Sequence, residues 1–168
     1  LGICLSRGFA TEERRTLLKS KLDLDQLQGL RINISGCSNS CGQHLAADLG
    51  FAGKAGRTGE RLYPAYTIFA GAVIGDGRTK FAVALGEVNA QDAPQLLTEL
   101  LTDYAAQKQK YADFSAYCPE RGKDLIKELC RKYGQVPAFT QDKNYYFDWG
   151  AAEVFSLDAK GYEGFFCI

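Results

Sequence analysis

Methionine is missing from this 168-residue chain, which begins at Leu1. The sequence therefore predicts a piece of a longer translation product, with any leader or upstream domain outside it. Neither sign of charge is in surplus, since twenty Lys and Arg balance twenty Asp and Glu. That balance excludes the basic footprint of a nucleic-acid or anionic-membrane binder. No apolar run is long enough to span a bilayer and no signal peptide is visible, so the expectation is a cytoplasmic protein without a membrane partner. Internal repeats and low-complexity tracts are absent as well. What is left is ordinary globular composition, 46% hydrophobic and 24% charged, in a chain long enough to bury one core.

Six cysteines stand out: Cys4, Cys37, Cys41, Cys118, Cys130 and Cys167. Without a secretory signal and with a full-size core, reduced thiols or metal ligands are favoured over a disulfide framework. Cys130 shares a helical face with Leu125, Ile126, Leu129 and Tyr133 and reads as a small buried hydrophobe. Cys118 before Pro119, and Cys167 beside the chain end, read the same way.

Periodicity gives the layout. Residues 3–21 read as a helix with Leu17, Leu18 and Leu22 at apolar positions, weakened by Gly8. "LRINIS" alternates as a half-buried strand. "ADLGFAG" reads as a short strand and "GKAGRTGERL" as a mobile basic loop. "YTIFAGAVIGDGRTKFAVALGEV" predicts two strands joined by a tight turn at Asp76-Gly77. Asp92 is expected to cap a helix with Pro94 in its first turn and a buried stripe of Leu96, Leu97, Leu100, Leu101 and Tyr104. Pro119 is expected to open a further helix that stops at Gly134. Strands with helices over one face predict an α+β fold, a mixed sheet covered by helices. From about Phe139 the periodicity fades into an irregular tail rich in aromatics, including Tyr145, Tyr146, Phe147, Trp149, Phe155, Tyr162, Phe165 and Phe166. Such a tail either fills grooves of its own domain or clasps a partner.

Cys37 and Cys41 form a C-x3-C pair in a Gly/Ser/Asn-rich turn directly after a strand. Residues so spaced can reach one metal centre, and neighbouring glycines let backbone N–H groups approach it. Iron–sulfur clusters commonly take four thiolates, and zinc takes four nitrogen or sulfur ligands. His44, the only histidine, invites a zinc reading, but no third and fourth ligand follow at normal spacing.

The stretch "GCSNSCGQHLAADLGFAGKAGR" closely resembles the second cysteine motif of the siroheme-containing nitrite and sulfite reductases. Gly36, Cys37, Asn39, Ser40, Cys41, Gly42 and Gln43 match that motif, with Ser38 in place of its usual proline. Ala47, Asp48, Leu49, Gly50 and Phe51 match the strand that follows it. The resemblance continues more weakly through "FAGAVIGDG", "ALGEVNAQDAPQLLTELLTDY" and "DFSAYCPERGKDL", covers most of residues 1–135, and fades in the tail. It implies a module at residues 1–138, incomplete at its start, and an aromatic-rich extension at 139–168.

The resemblance also implies a four-iron four-sulfur cluster and siroheme, serving the six-electron reduction of nitrite to ammonia or sulfite to sulfide. Cys37 and Cys41 would be metal ligands, and Cys41 would also bridge cluster and siroheme iron, the catalytic role. Gly36, Asn39, Ser40, Gly42 and Gln43 would lie against the cofactors, and Lys54, Arg57 and Arg61 would meet siroheme carboxylates. An earlier C-x5-C pair, at the head of the first helix, is expected just upstream of Leu1, with Cys4 a turn too late to ligate and therefore packing. With two of four thiolates, neither cofactor is expected to be complete on this chain, and the start of the first helix should be poorly anchored. Implied partners are the missing N-terminal half, an electron donor such as ferredoxin or a reductase subunit, and a small anion. The competing expectation is a non-catalytic scaffold of the same fold, with a zinc module a distant third.

Overall fold

The alternation around Ile32 and Ile34 becomes the first of four strands in a computed structural model that describes residues 2–75 and 77–158. The strands are β1 (Ile32–Ser35), β2 (Leu49–Thr58), β3 (Arg61–Ala70) and β4 (Val83–Asn89), neighbours in that order. β1 is parallel to β2, whereas β2–β3 and β3–β4 are antiparallel. A parallel pair cannot be joined by a tight hairpin. Residues 36–48 make the crossover from β1 to β2, and the cysteine turn is part of it. Asp48 fixes this pairing: its carboxylate accepts from the Arg31 backbone N–H at 2.9 Å and from the Arg31 guanidinium at 3.2 and 3.3 Å.

Among the described residues the α-helices are α1 (Ser6–Lys19), α2 (Ala93–Ala106), α3 (Phe114–Tyr117) and α4 (Lys123–Lys132). Leu49 and Phe51 of β2 and Tyr66, Ile68 and Ala70 of β3 occupy alternate positions. They share one core with Phe9 of α1, the α2 stripe, and Ile126 and Leu129 of α4. Phe9 lies between Phe51 and Tyr66, with ring centroids 5.2 and 4.6 Å away. Each large apolar side chain buried there contributes about 1.5–3 kcal/mol. The mixed sheet covered by helices is the expected α+β class.

Several local expectations are corrected. The first helix begins at Ser6 and ends at Lys19, so Cys4 precedes it. The basic segment expected to be mobile is strand: Lys54–Thr58 pairs in register with Arg61–Ala65 across a turn at Gly59, whose φ is +57°. β3 and β4 are joined by the longer segment 71–82, tied by mutual Val73–Lys80 backbone bonds of 2.8 Å. Gly77 has a φ of +70°, and Asp76 lies outside the described residues. Asp92 occupies the N-cap position of α2 without capping by side chain. Its carboxylate accepts instead from Asn89 Nδ2 at 2.8 Å and the Tyr145 hydroxyl at 3.1 Å. Pro119 opens nothing; it sits in a wide turn, Cys118–Gly122, between α3 and α4. The helical run starts earlier, at Phe114, where Asp113 caps the Ala116 N–H at 3.0 Å. Cys118 and Cys130 are buried as expected.

The aromatic tail lies across its own domain as far as residue 158. Tyr146 and Phe155 are buried, the Phe155 N–H donates to the Tyr146 carbonyl at 2.7 Å, and Trp149 Nε1 donates to the Ala90 carbonyl at 2.6 Å. The tail also anchors the start of α1, which the sequence left loose. Buried Asp148 accepts from the Leu5 N–H at 2.7 Å, supplying the cap that the Leu5 side chain cannot. Gly8 is what admits this strap, because a Cβ there would fall 1.9 Å from the Trp149 carbonyl oxygen. Tyr162, Phe165, Phe166 and Cys167 lie outside the described residues.

Candidate functional site

The cysteine turn leaves β1 at Ser35, and that serine organises it. The buried Ser35 hydroxyl accepts from the Gly42 N–H at 3.1 Å and lies 2.8 Å from His44 Nδ1. His44 is 1% exposed and burial holds its pKa below the usual imidazole range, so the ring is neutral. The Ser35 hydroxyl keeps a second lone pair beside the one facing Gly42, so it bonds Nδ1 as donor or acceptor according to the His44 tautomer. His44 packs on Phe69 at 4.8 Å and acts as a brace for the turn. Asn33 Nδ2 donates to the Gln43 carbonyl at 3.2 Å and the Gln43 N–H to the Ser40 carbonyl at 2.7 Å. Ser40 and Gln43 both adopt left-handed backbone, with φ of +57° and +55°. Non-glycine residues hold that conformation only where surrounding bonds over-determine it.

The turn rests on β2 and on the segment before α1. The Cys4 N–H donates to the Gly36 carbonyl at 2.8 Å. Gly53 on β2 permits the contact, because a Cβ there would lie 2.3 Å from the same oxygen. A cavity of about 380 Å³ opens between the two segments. Gly2, Cys4, Leu5, Ser6 and Arg7 line one side; Ser35, Gly36, Cys37, Asn39 and Cys41 line the other. Cys37 is half-buried, Cys41 is exposed, and neither is in a disulfide. Ser6 and Arg7, in the first turn of α1, line this cavity together with the two cysteines, so the positive end of a helix dipole borders the same space.

Of the residues singled out in the sequence, the structure brings Gly36, Cys37, Asn39 and Cys41 together on the cavity wall. Ser40, Gly42 and Gln43 shape the turn behind them. Lys54, Arg57 and Arg61 do not line the cavity: Lys54 pairs with Glu87 and Arg61 stacks 4.1 Å from the centre of the Phe139 ring. Arg57 reaches the Glu60 carbonyl at 3.5 Å. Cys4 is buried, as a packing residue should be, with its sulfur 3.4 Å from the Lys54 and Ala65 carbonyls. It also stands on the cavity wall, at the head of α1 rather than a turn inside it. The signal that could have shown this is Gly8, which makes the first turn of the helix depend on a partner. Arg7 and Asp148 were missed because only the folded chain places them there.

The donor set is a partial thiolate set of the kind that iron–sulfur clusters and zinc both take. Two thiols face one cavity with small or backbone groups between them, and among the described residues no cluster of three or more Cys, His, Asp or Glu stands ready as a complete cage. Cys118 and Cys130 fit poorly, since burial pushes both thiols up to about 11.

Residues 20–135 match the family described as the nitrite and sulphite reductase 4Fe-4S domain. The assimilatory ferredoxin-dependent nitrite reductase of Haloferax mediterranei is 28% identical over 63% of this chain and 18% of its own length. The ferredoxin–nitrite reductase of Synechococcus elongatus is 31% identical over 60% of this chain and 20% of its own length. The match thus spans about a fifth of these relatives. The solved structure of the Mycobacterium tuberculosis NirA protein shares the fold, with a TM-score of 0.59 and 20% identity over 71% of this chain and 22% of that one. With most of its length matched to one family and the fold shared, the chain belongs to the nitrite and sulphite reductase 4Fe-4S domain family.

Proposed function

We propose that this chain is the cluster-binding module of a siroheme reductase that carries nitrite or sulfite through a six-electron reduction. The observation that carries the reading is that Cys37 and Cys41 line one cavity together with the first turn of α1. The names of the two relatives favour nitrite as substrate and ferredoxin as electron donor. Residues 1–138 form the module in this reading and 139–168 its extension, whose Asp148 holds the head of α1.

A four-iron four-sulfur cluster and siroheme would, when bound, supply single-electron reduction of a small anion. The chain's own residues bind and orient. Cys37 and Cys41 would be the thiolates that hold the cluster, with Cys41 in the catalytic role that the family resemblance implies. Cys4, on the opposite wall of the cavity, is the third donor of the set that this chain offers. Arg7 and the first N–H groups of α1 offset the negative charge that gathers at several thiolates. Gly36, Ser40, Gly42 and Gln43 keep the wall low, and Asn39 presents an amide to the bound group. Lys54, Arg57 and Arg61 remain the candidates for the siroheme carboxylates, Arg57 with the fewest commitments on its own chain.

Anaerobic reconstitution with ferrous iron and sulfide tests the assignment. The chain should gain a broad visible absorption with bound iron and labile sulfide, and Cys37→Ser and Cys41→Ser should each remove most of it, because a hydroxyl is a harder, poorer ligand for this iron. Cys130→Ser should leave it unchanged. Uptake that ignores both substitutions would return the chain to the scaffold reading.

A further inference from the structure

Away from the cysteine cavity, α1 crosses the outer strand of the sheet and leaves an apolar groove of about 300 Å³. Leu17 and Leu18 of α1, Leu24 of the following turn, and Ile32 and Ile34 of β1 line it. Leu18 and Leu24 are 60% and 41% exposed. β1 has β2 on one side and no strand on the other among the described residues, so one edge of its backbone is available for pairing.

One side chain in this groove does not belong in an apolar wall. Glu13 is only 5% exposed, and neither carboxyl oxygen has a hydrogen-bond partner. A buried polar group left unpaired is a cost that folding does not recover. The chain cannot satisfy it from α1: the positions one turn away are Phe9, Ala10, Thr16 and Leu17, none a cation. Arg14 lies on the groove, but adjacent residues on a helix diverge. The facing strand offers Ile32 and Ile34. None of these described residues supplies Glu13 with a positive partner.

We propose that the groove between α1 and β1 docks an extended segment of a partner polypeptide, which adds to the open edge of β1 and places a lysine or arginine, flanked by apolar side chains, against Glu13. The chemistry follows from the wall: backbone pairing comes from the strand edge, apolar contact from the leucines and isoleucines, and the cation from the single orphaned carboxyl. Burial, with Glu12 adding to it, pushes the Glu13 carboxyl up to about 8, as expected of an acid waiting for a positive partner. The proposal goes beyond the cluster reading and does not depend on it.

A blocked heptapeptide, Thr-Val-Thr-Lys-Thr-Val-Thr, is a suitable probe, because its even positions share one strand face. Titrated into the isotope-labelled full chain, it should shift the amide resonances of Ile32–Ser35, the Glu13–Leu18 turn of α1, and Leu24. Replacing its lysine by norleucine should weaken binding by about tenfold or more, and Glu13→Gln in the protein, which preserves shape and fold, should do the same. The proposal is overturned if the norleucine peptide binds as well, if Glu13→Gln binds equally, if the shifts map elsewhere, or if millimolar peptide produces none. It is also overturned if the chain dimerises through this groove, for then a second copy is the occupant.

Discussion

Glu13 is the residue whose protonation separates the folded from the unfolded chain most sharply. Its carboxyl moves from an ordinary value of 4.5 up to about 8 on folding. The folded state therefore holds a proton that the unfolded state has already released between those values, so this contribution to stability falls as pH rises from about 5 to 8. Glu13→Gln removes the effect. In urea titrations at both pH values, the variant should gain on the order of 4 kcal/mol over the wild type at pH 8 and little at pH 5. The comparison is made between variant and wild type because His44, held neutral by burial, destabilises the fold in the opposite direction, at acid pH. A difference that does not change with pH would mean that Glu13 is ionised and satisfied in solution.

At the scale of the element, α1 is set by what meets its first turn. Helix propensity says that Gly8→Ala should stabilise, by about 1 kcal/mol. The strap says the reverse, since the added methyl would occupy the space of the Trp149 carbonyl. We expect a net loss of about 2 kcal/mol or more, of the size seen for overpacking a close contact, read by thermal or urea unfolding. Asp148→Asn keeps the strap's shape but removes the charge from the helix end, at a cost of about 1 kcal/mol. Hydrogen exchange should then quicken at residues 5–9 and stay unchanged across Leu96–Tyr104. Equal protection of residues 5–9 in wild type and variant would show that Asp148 does not hold the helix.

For the molecule as a whole, the number of thiols on the cavity decides how much cluster the chain keeps. Sequence spacing counted two; the fold adds Cys4 on the opposite wall. Reconstituted anaerobically, the chain should hold iron at less than a full complement, and Cys4→Ser should lower it further. Cys118→Ser should not, because that thiol is buried beside Gly71, does not line the cavity, and is pushed up to about 11. Iron content that falls with Cys118→Ser and not with Cys4→Ser would exclude Cys4 as a donor.

Much of this protein was legible in order. Alternation at Leu30, Ile32 and Ile34, the leucine stripe of α2 and the C-x3-C turn each depend on residues within a few positions of one another, and local periodicity with the cysteine motif determined the fold class and the cysteine pair. Contacts between distant segments were not legible. Lys54 to Thr58 read as a loop because glycine and charge dominate it, yet pairing with β3 makes it strand. Pro119 read as a helix start, but the caps and packing at Asp113 and Phe114 start the helix a turn earlier. Cys4 read as packing because its position was judged along the helix alone. Asp148, 143 positions from Leu5, sets where that helix begins. It does so because a helix end has N–H groups that its own turn cannot satisfy, and only the tertiary structure decides which distant residue supplies the acceptor.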